Sequence, residues 1–246
     1  MPDKLIVLSD IHANLTALNA VLEDISDKRY RPDGIILLGD IINYGMRPNE
    51  VIEVIRGLRY PVLINLMGNH EKALFDGDLS HFSTERGKKM LEYTSSILSE
   101  ESRRYLVENL NYDGIQQEVW DGRSILFVHG SVRAPYWGKM TDESFEDETY
   151  KKYDYVFSGH SHLPYYRSTY YRTDNPVLRN KKKTVFINPG SVGQPRNQNP
   201  CAQYAYIELS TGTIHNNAVP YDVEKEYILY PDSLDKFYKE RLLTGI

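Results

Sequence analysis

The sequence predicts an α/β fold, with a mainly parallel sheet carrying helices on its faces and a second sheet drawn from the later part of the chain. Two observations predict it. Short apolar runs alternate with stretches of helical periodicity over the first 66 residues, a β-α-β-α-β order that a parallel sheet requires. Beyond residue 160 the pattern changes to polar–apolar alternation, the signature of antiparallel strands with one wet face.

The elements follow in order. Lys4 to Ser9 is a buried strand. Leu15, Leu18, Val21, Leu22 and Ile25 recur at helical spacing behind Asn14, a side chain suited to cap a helix. Gly34 to Leu38 is a second strand. Val51, Ile52, Ile55 and Leu58 mark a second helix, entered through Pro48. Pro61 to Leu66 is the third strand. From about residue 71 to 110 the chain turns helical and more polar, as expected of a cap or side layer on a single domain spanning residues 1–246. Strands resume at Ile115 to Val119, Ser124 to Val128 and Tyr155 to Phe157. Segments starting at Tyr165, Thr184, Gln203 and Thr213 alternate, and are expected to pair in the second sheet. Lys181 to Lys183 reads as a solvated turn.

Composition narrows the function. The chain has 246 residues, 41% hydrophobic and 26% charged, with a net charge of -5. No global basic field exists to hold long nucleic acid, so an anionic substrate must be attracted locally. One cysteine, Cys201, rules out an internal disulfide framework and a Cys-rich zinc site. The apolar run Leu5 to Leu8 is too short for a signal-peptide core or a membrane span, so the expected location is the cytoplasm, away from membranes.

The chemistry sits directly after the apolar runs. Asp10-Ile11-His12 follows the first, Gly39-Asp40 the second and Gly68-Asn69-His70-Glu71 the third. His129-Gly130 follows Ile125 to Val128, and Gly159-His160-Ser161-His162 follows Val156 to Ser158. Residues at the C-terminal ends of parallel strands share one edge, where ligands bind. Of seven histidines, five fall in these motifs; His81 and His215 lie outside them and read as structural. His12, His129, His160 and His162 offer nitrogen, and Asp10, Asp40 and Asn69 offer oxygen. Seven mixed ligands exceed one tetrahedral zinc and suit two metal ions. The absence of thiolate points to Mn, Fe, Co, Ni or Zn, with Mn and/or Fe expected. Asp40, central among the motifs, is the candidate bridge. Two divalent cations against two aspartates leave about +2, which attracts phosphate and acidifies coordinated water.

The five motifs together resemble the signature of calcineurin-like metallophosphoesterases, and Asn188-Pro189-Gly190-Ser191-Val192-Gly193-Gln194-Pro195-Arg196 resembles the compact bacterial branch. The resemblance implies a four-layer α/β/β/α sandwich of two mixed sheets flanked by helices. It implies one metal held by Asp10, His12, His162 and Asp40, and a second by Asn69, His129, His160 and Asp40. His70 is the position that lies beside the metals without binding them, fitting a general acid for the leaving alkoxide or a hydrogen bond to phosphoryl oxygens. Ala13 departs from the glycine many relatives carry there.

Two function classes follow. One is a hydrolase of phosphodiester or phosphoanhydride bonds in small nucleotides, including dinucleoside polyphosphates such as diadenosine tetraphosphate, with asymmetric cleavage favoured. The other is a non-catalytic metal-binding scaffold, which typically lacks the histidine present here at position 70. Among enzymes, a serine/threonine protein phosphatase is the alternative, though Arg47 lies in the wrong local setting for it. Arg133, Arg196 and Tyr44 are candidate substrate-binding residues, the arginines by bidentate contact with phosphate. Tyr165, Tyr166, Tyr170 and Tyr171 read as strand residues, with base stacking as their alternative role.

Overall fold

The computed structural model describes residues 1–246. The chain runs β1 (Lys4–Leu8), α1 (Leu15–Asp27), β2 (Gly34–Leu37), α2 (Pro48–Arg56) and β3 (Val62–Asn65). Three helices follow: α3 (Asn69–Asp76), α4 (Glu85–Ile97) and α5 (Glu100–Asn109). Then come β4 (Ile115–Trp120), β5 (Arg123–Val128), α6 (Asp142–Glu146), a 3-10 turn (Glu148–Lys152), β6 (Tyr155–Ser158), β7 (Tyr165–Tyr170) and β8 (Lys183–Asn188). The chain closes with β9 (Ala202–Glu208), β10 (Thr213–Val219), α7 (Val223–Tyr227) and α8 (Phe237–Thr244).

The strands form two mixed five-stranded sheets, ordered β10-β9-β1-β2-β3 and β4-β5-β6-β8-β7. β1, β2 and β3 are parallel, and β9 and β10 extend that sheet antiparallel. In the second sheet β5, β6 and β8 are parallel, with β4 and β7 antiparallel at the edges. One expectation is corrected here. The segments from Gln203 and Thr213 belong to the first sheet, not the second. β9 lies between β1 and β10 and is buried almost throughout, so it has no solvent face for alternation to report.

Both faces of β1 are covered. Leu5 and Val7 point between the sheets, where they meet Ile36, Leu38, Phe127, Phe157 and Ile187. Ile6 and Leu8 point the other way, onto Leu18, Val21 and Ile25 of α1 and Val51, Ile52 and Ile55 of α2. Period-two geometry with apolar layers on both sides turns the strand into an unbroken apolar run. Outside the second sheet, Leu126, Val128, Val156 and Phe186 pack against Phe145, Tyr150 and Tyr153 from α6 and the turn after it. The order is therefore helix, sheet, sheet, helix, as expected.

Local signals place the helices. Asn14 accepts from the Ala17 amide at 3.0 Å, starting α1, and Pro48 occupies the first turn of α2. Arg47 ends in an ion pair with the buried Glu226 of α7, which also accepts from the Thr16 amide at 2.8 Å. No helix is long and apolar enough to cross a membrane.

Candidate metal centre

The loops after β1, β2 and β3 meet the loops after β5 and β6 at one end of the sandwich. The structure brings all seven predicted ligands together there. The ligand atoms of Asp10, His12, Asp40 and His162 lie within 4.8 Å of one another, as do those of Asp40, His129 and His160. Asn69 joins the second group, with Oδ1 3.0 Å from His129 Nε2 and 2.9 Å from His160 Nδ1. Asp40 belongs to both groups, and each group draws on both sheets.

The chain bends sharply to achieve this. Asp10, His12, Asp40, His160 and His162 all have φ between 49° and 61°, the left-handed region that non-glycine residues seldom enter. A strand that simply continued would carry alternate side chains to opposite faces. The left-handed turn instead aims consecutive motif residues at one point. Such backbone strain persists only where surrounding structure over-determines it, and it concentrates at functional sites. The neighbouring glycines are required by space. A Cβ on Gly68 would sit 2.1 Å from Asp40 Oδ1, and Gly39, at φ +98°, would bring one to 2.6 Å from the Gly68 amide.

Hydrogen bonds set which ligand atoms remain free. His12 Nδ1 lies 3.1 Å from the Ile42 carbonyl, His129 Nδ1 2.7 Å from that of Leu38, and His162 Nδ1 2.5 Å from that of Gln194. A carbonyl only accepts, so Nδ1 carries a proton in all three rings; the neutral His12 and His162 turn an Nε2 lone pair inward, and His129 does so once its second proton is displaced. Asp10 Oδ2 accepts from the Ser9 hydroxyl and the His160 amide, and Asp40 Oδ1 from the His70 amide at 2.9 Å. Their other oxygens, Asp10 Oδ1 and Asp40 Oδ2, are buried without a hydrogen-bond partner. The predicted Asn188–Arg196 segment supports the first group. Ser191 donates to the Asp10 carbonyl at 2.7 Å, and Gln194 supplies the carbonyl that His162 uses.

These residues fit a pair of cations. His12 Nε2 and His162 Nε2 face each other at 3.1 Å, and His162 Nε2 is 3.1 Å from the orphaned Asp10 Oδ1. Asn69 Oδ1 faces two imidazole nitrogens, of His129 and His160, at 3.0 and 2.9 Å. In the first group the His12, His162 and Asp10 lone pairs converge without a proton between them and repel, and a cation turns that repulsion into coordination. Each group offers two nitrogens and two oxygens, a donor set suited to borderline divalent metals.

Burial sets the electrostatics of the metal-free cluster. It pushes His12 and His162 well below the usual histidine value, and His160 down to about 3 with help from His129. For His129 burial pulls down, but the Asp40 carboxylate 3.4 Å away outweighs it and raises the ring to about 9. Glu71, whose carboxylate accepts from the amides of Asp40, Ile42 and Gly68, is raised to about 7 by burial and then by Asp40. It ties the second motif to the third.

A cavity of about 310 Å³ opens beside the cluster, lined in part by Asp40, Asn69, His70, His160, His162, Tyr44 and Arg196. His70 Nε2 is 3.8 Å from Asp40 Oδ2. Arg133 is elsewhere. Three-quarters exposed, it pairs with Asp147 at 2.6 Å, so the structure does not bring it to the cavity. His81, expected to be structural, lines the cavity and stacks on Trp137 at 4.7 Å, whereas His215 packs with Tyr30 and Tyr206. Phe82 and Trp137 complete an aromatic wall that sequence reasoning missed, because both lie in irregular segments with no periodicity. The tyrosines of β7 are not part of that lining.

Residues 4–212 match the family model described as the calcineurin-like phosphoesterase superfamily domain. The chain belongs to that superfamily. An uncharacterized protein of Methanocaldococcus jannaschii is 31% identical over 243 residues, covering 97% of each chain. A metallophosphoesterase structure from Sphaerobacter thermophilus superposes with a TM-score of 0.76 at 28% identity, covering 100% of both chains. A hypothetical protein of Pyrococcus horikoshii reaches 0.79 at 22% identity, covering 99% of this chain and 98% of its own. The superfamily's two-sheet sandwich is thus shared over the whole length.

Proposed function

We propose that the protein is a two-metal phosphoesterase that hydrolyses phosphodiester or phosphoanhydride bonds of small nucleotides, with Mn and/or Fe as the working metals. The single observation that carries the reading is the pair of N₂O₂ ligand groups sharing Asp40 at the floor of a cavity that also holds His70. Bound there, two cations supply positive charge to a phosphoryl group and make water acidic enough to attack it. Asp10, His12 and His162 would hold one, Asn69, His129 and His160 the other. His70, which lines the same cavity, would offer an N–H to a phosphoryl or leaving oxygen. Arg196 lines the same cavity and offers a planar fork to a flanking phosphate.

The aromatic wall supports a nucleotide substrate. Trp137 lies 6.3 Å, centroid to centroid, from the His160 ring, so a base stacked on it would keep its own first phosphate near the ligand cluster. That favours attack close to one end of a dinucleoside polyphosphate such as diadenosine tetraphosphate, giving AMP and ATP. Trp137→Ala should raise KM for nucleotide substrates about tenfold, matching the ~1–3 kcal/mol of one stacked base. KM for a nitrophenyl phosphodiester should stay unchanged.

The deciding experiment is hydrolysis by the Mn-loaded protein in ¹⁸O-labelled water, with products separated by chromatography. The label identifies the phosphorus attacked. Rapid phosphate release from phosphopeptides, with no cleavage of any diester or dinucleotide, would establish a protein phosphatase instead.

A further inference from the structure

We propose that Asn43 and Thr94 act as a positioning relay that fixes the ring tautomer of His70, so that a neutral imidazole presents Nε2–H to the cavity as a hydrogen-bond donor. The catalytic consequence rests on the hydrolase reading above; the tautomer does not.

Asn43 Nδ2 lies 2.6 Å from His70 Nδ1, and Thr94 Oγ1 lies 3.1 Å from Asn43 Oδ1. All three side chains are buried, so water does not complete their hydrogen bonds. Two arrangements of protons fit these distances. In the first, the Thr94 hydroxyl donates to Asn43 Oδ1, and the Asn43 amide donates to a lone pair on His70 Nδ1. The hydroxyl, the amide oxygen and the ring Nδ1 are then all matched, the second amide hydrogen lying outside the relay in both arrangements, and the neutral ring carries its proton on Nε2. In the second, the amide is flipped. His70 Nδ1–H then donates to Oδ1 and the amide to Thr94 Oγ1, which leaves the threonine proton facing no acceptor in the relay. Leaving a buried donor without a partner is costly, and that cost selects the first arrangement.

The surroundings hold the ring in that plane. Tyr44 packs edge-on against it at 4.6 Å and Phe82 at 5.3 Å. Asn43 is itself left-handed, at φ +70°, a conformation asparagine tolerates better than most residues. Thr94 comes from α4, so the relay ties the helical segment after the third motif to the cavity. An aspartate at position 43 would do the reverse of asparagine. A carboxylate only accepts, and would draw the proton to Nδ1.

The role that follows is donation of a hydrogen bond to a phosphoryl oxygen as charge develops there. No bond to His70 forms or breaks. Disturbing the relay should therefore slow good and poor leaving groups alike, whereas loss of a general acid spares the good ones.

The test combines ¹⁵N NMR of the histidine rings with kinetics. Spectra of metal-free and zinc-loaded protein should show His70 protonated at Nε2 with a lone pair on Nδ1. Thr94→Val, close to isosteric, should lose that pattern and lower kcat by ~10–100-fold, the usual cost of removing an outer partner. KM and metal content should hold. The loss should be equal across aryl phosphodiesters of differing leaving-group acidity. Thr94→Ser, which keeps the hydroxyl, should restore tautomer and rate. Asn43→Asp should move the proton to Nδ1. A wild-type ring protonated at Nδ1, an unchanged ring in Thr94→Val, or a loss confined to poor leaving groups would each overturn the proposal. If the wild type hydrolysed no phosphoester, the hydrolase reading would fail, and the spectra would still decide the tautomer.

Discussion

At the scale of single residues, the cluster separates shared from private ligands. Asp40 sits in both groups and Asn69 in one, so Asp40→Ala should abolish binding of both metals, while Asn69→Ala should lower stoichiometry from two towards one. Elemental analysis after loading with Mn and desalting checks this; equal losses in the two variants would contradict the shared role. The convergence of all seven positions was legible from the sequence, because each follows an apolar run that ends abruptly. Their supports were not. Asn43 reads as an ordinary turn residue, Thr94 as one polar residue on a helix, and Ser9 as the end of a strand. Asn43 and Thr94 matter through partners far away in sequence, a distance nothing local records, and Ser9 through its hydroxyl's turn towards the neighbouring Asp10 carboxylate, which a strand run does not reveal. Arg133 shows the converse. It follows a true motif residue closely, yet its guanidinium turns outward to Asp147.

At the scale of elements, alternation predicts which faces are wet but not which strand is the neighbour. β7 and β8 pair in the second sheet as expected, while β9 and β10 cross to the first, a choice settled by the packing of β9 along β1. The crossing also brings α7 to α1 and α2, where Glu226 accepts from Arg47 and the Thr16 amide. Glu226 is buried and Arg47 partly so; removing the carboxylate leaves the guanidinium and the Thr16 amide without their acceptor. Glu226→Ala should therefore cost about 2 kcal/mol in urea unfolding, and Glu226→Gln, which still accepts, distinctly less. Equal midpoints for wild type and Glu226→Ala would mean that Arg47 finds water instead. The same pairing explains why Arg47, close to the second motif in sequence, is not among the residues lining the cavity.

At the scale of the whole molecule, the metal-free protein should be acid-sensitive. Burial depresses His12, His70, His160 and His162, so the unfolded chain, with histidines near 6.5, takes up protons that the folded chain refuses. Stability from these groups is present above 6.5 and falls as pH drops below it. His129, raised to about 9 by Asp40 against burial, works the other way: its contribution is full below 6.5 and is lost as pH rises towards 9. Glu71, its carboxyl raised to about 7 by burial, also favours the folded state as pH falls from 7 towards 4.5. Four depressed histidines thus outweigh one carboxyl and His129, whose effect no longer grows below 6.5. The Tm of chelator-treated protein should therefore decline from pH 7 to pH 5. Added Mn at 100 times its Kd should restore ~2.7 kcal/mol per site. A flat Tm over that range would contradict the buried, neutral histidines. The two-sheet origin of each ligand group has a further consequence, for the order of events in refolding. Neither half of the cluster exists on one sheet alone, so capture of cations must wait until the sheets have docked. The chain carries two tryptophans that separate these moments. Trp120 is packed in the layer between the sheets, and Trp137 stands at the cavity wall. In stopped-flow refolding with a paramagnetic ion present, the Trp120 signal should settle first and quenching of Trp137 should trail it, so that the ions act as a late clasp on an assembled sandwich rather than as its nucleus.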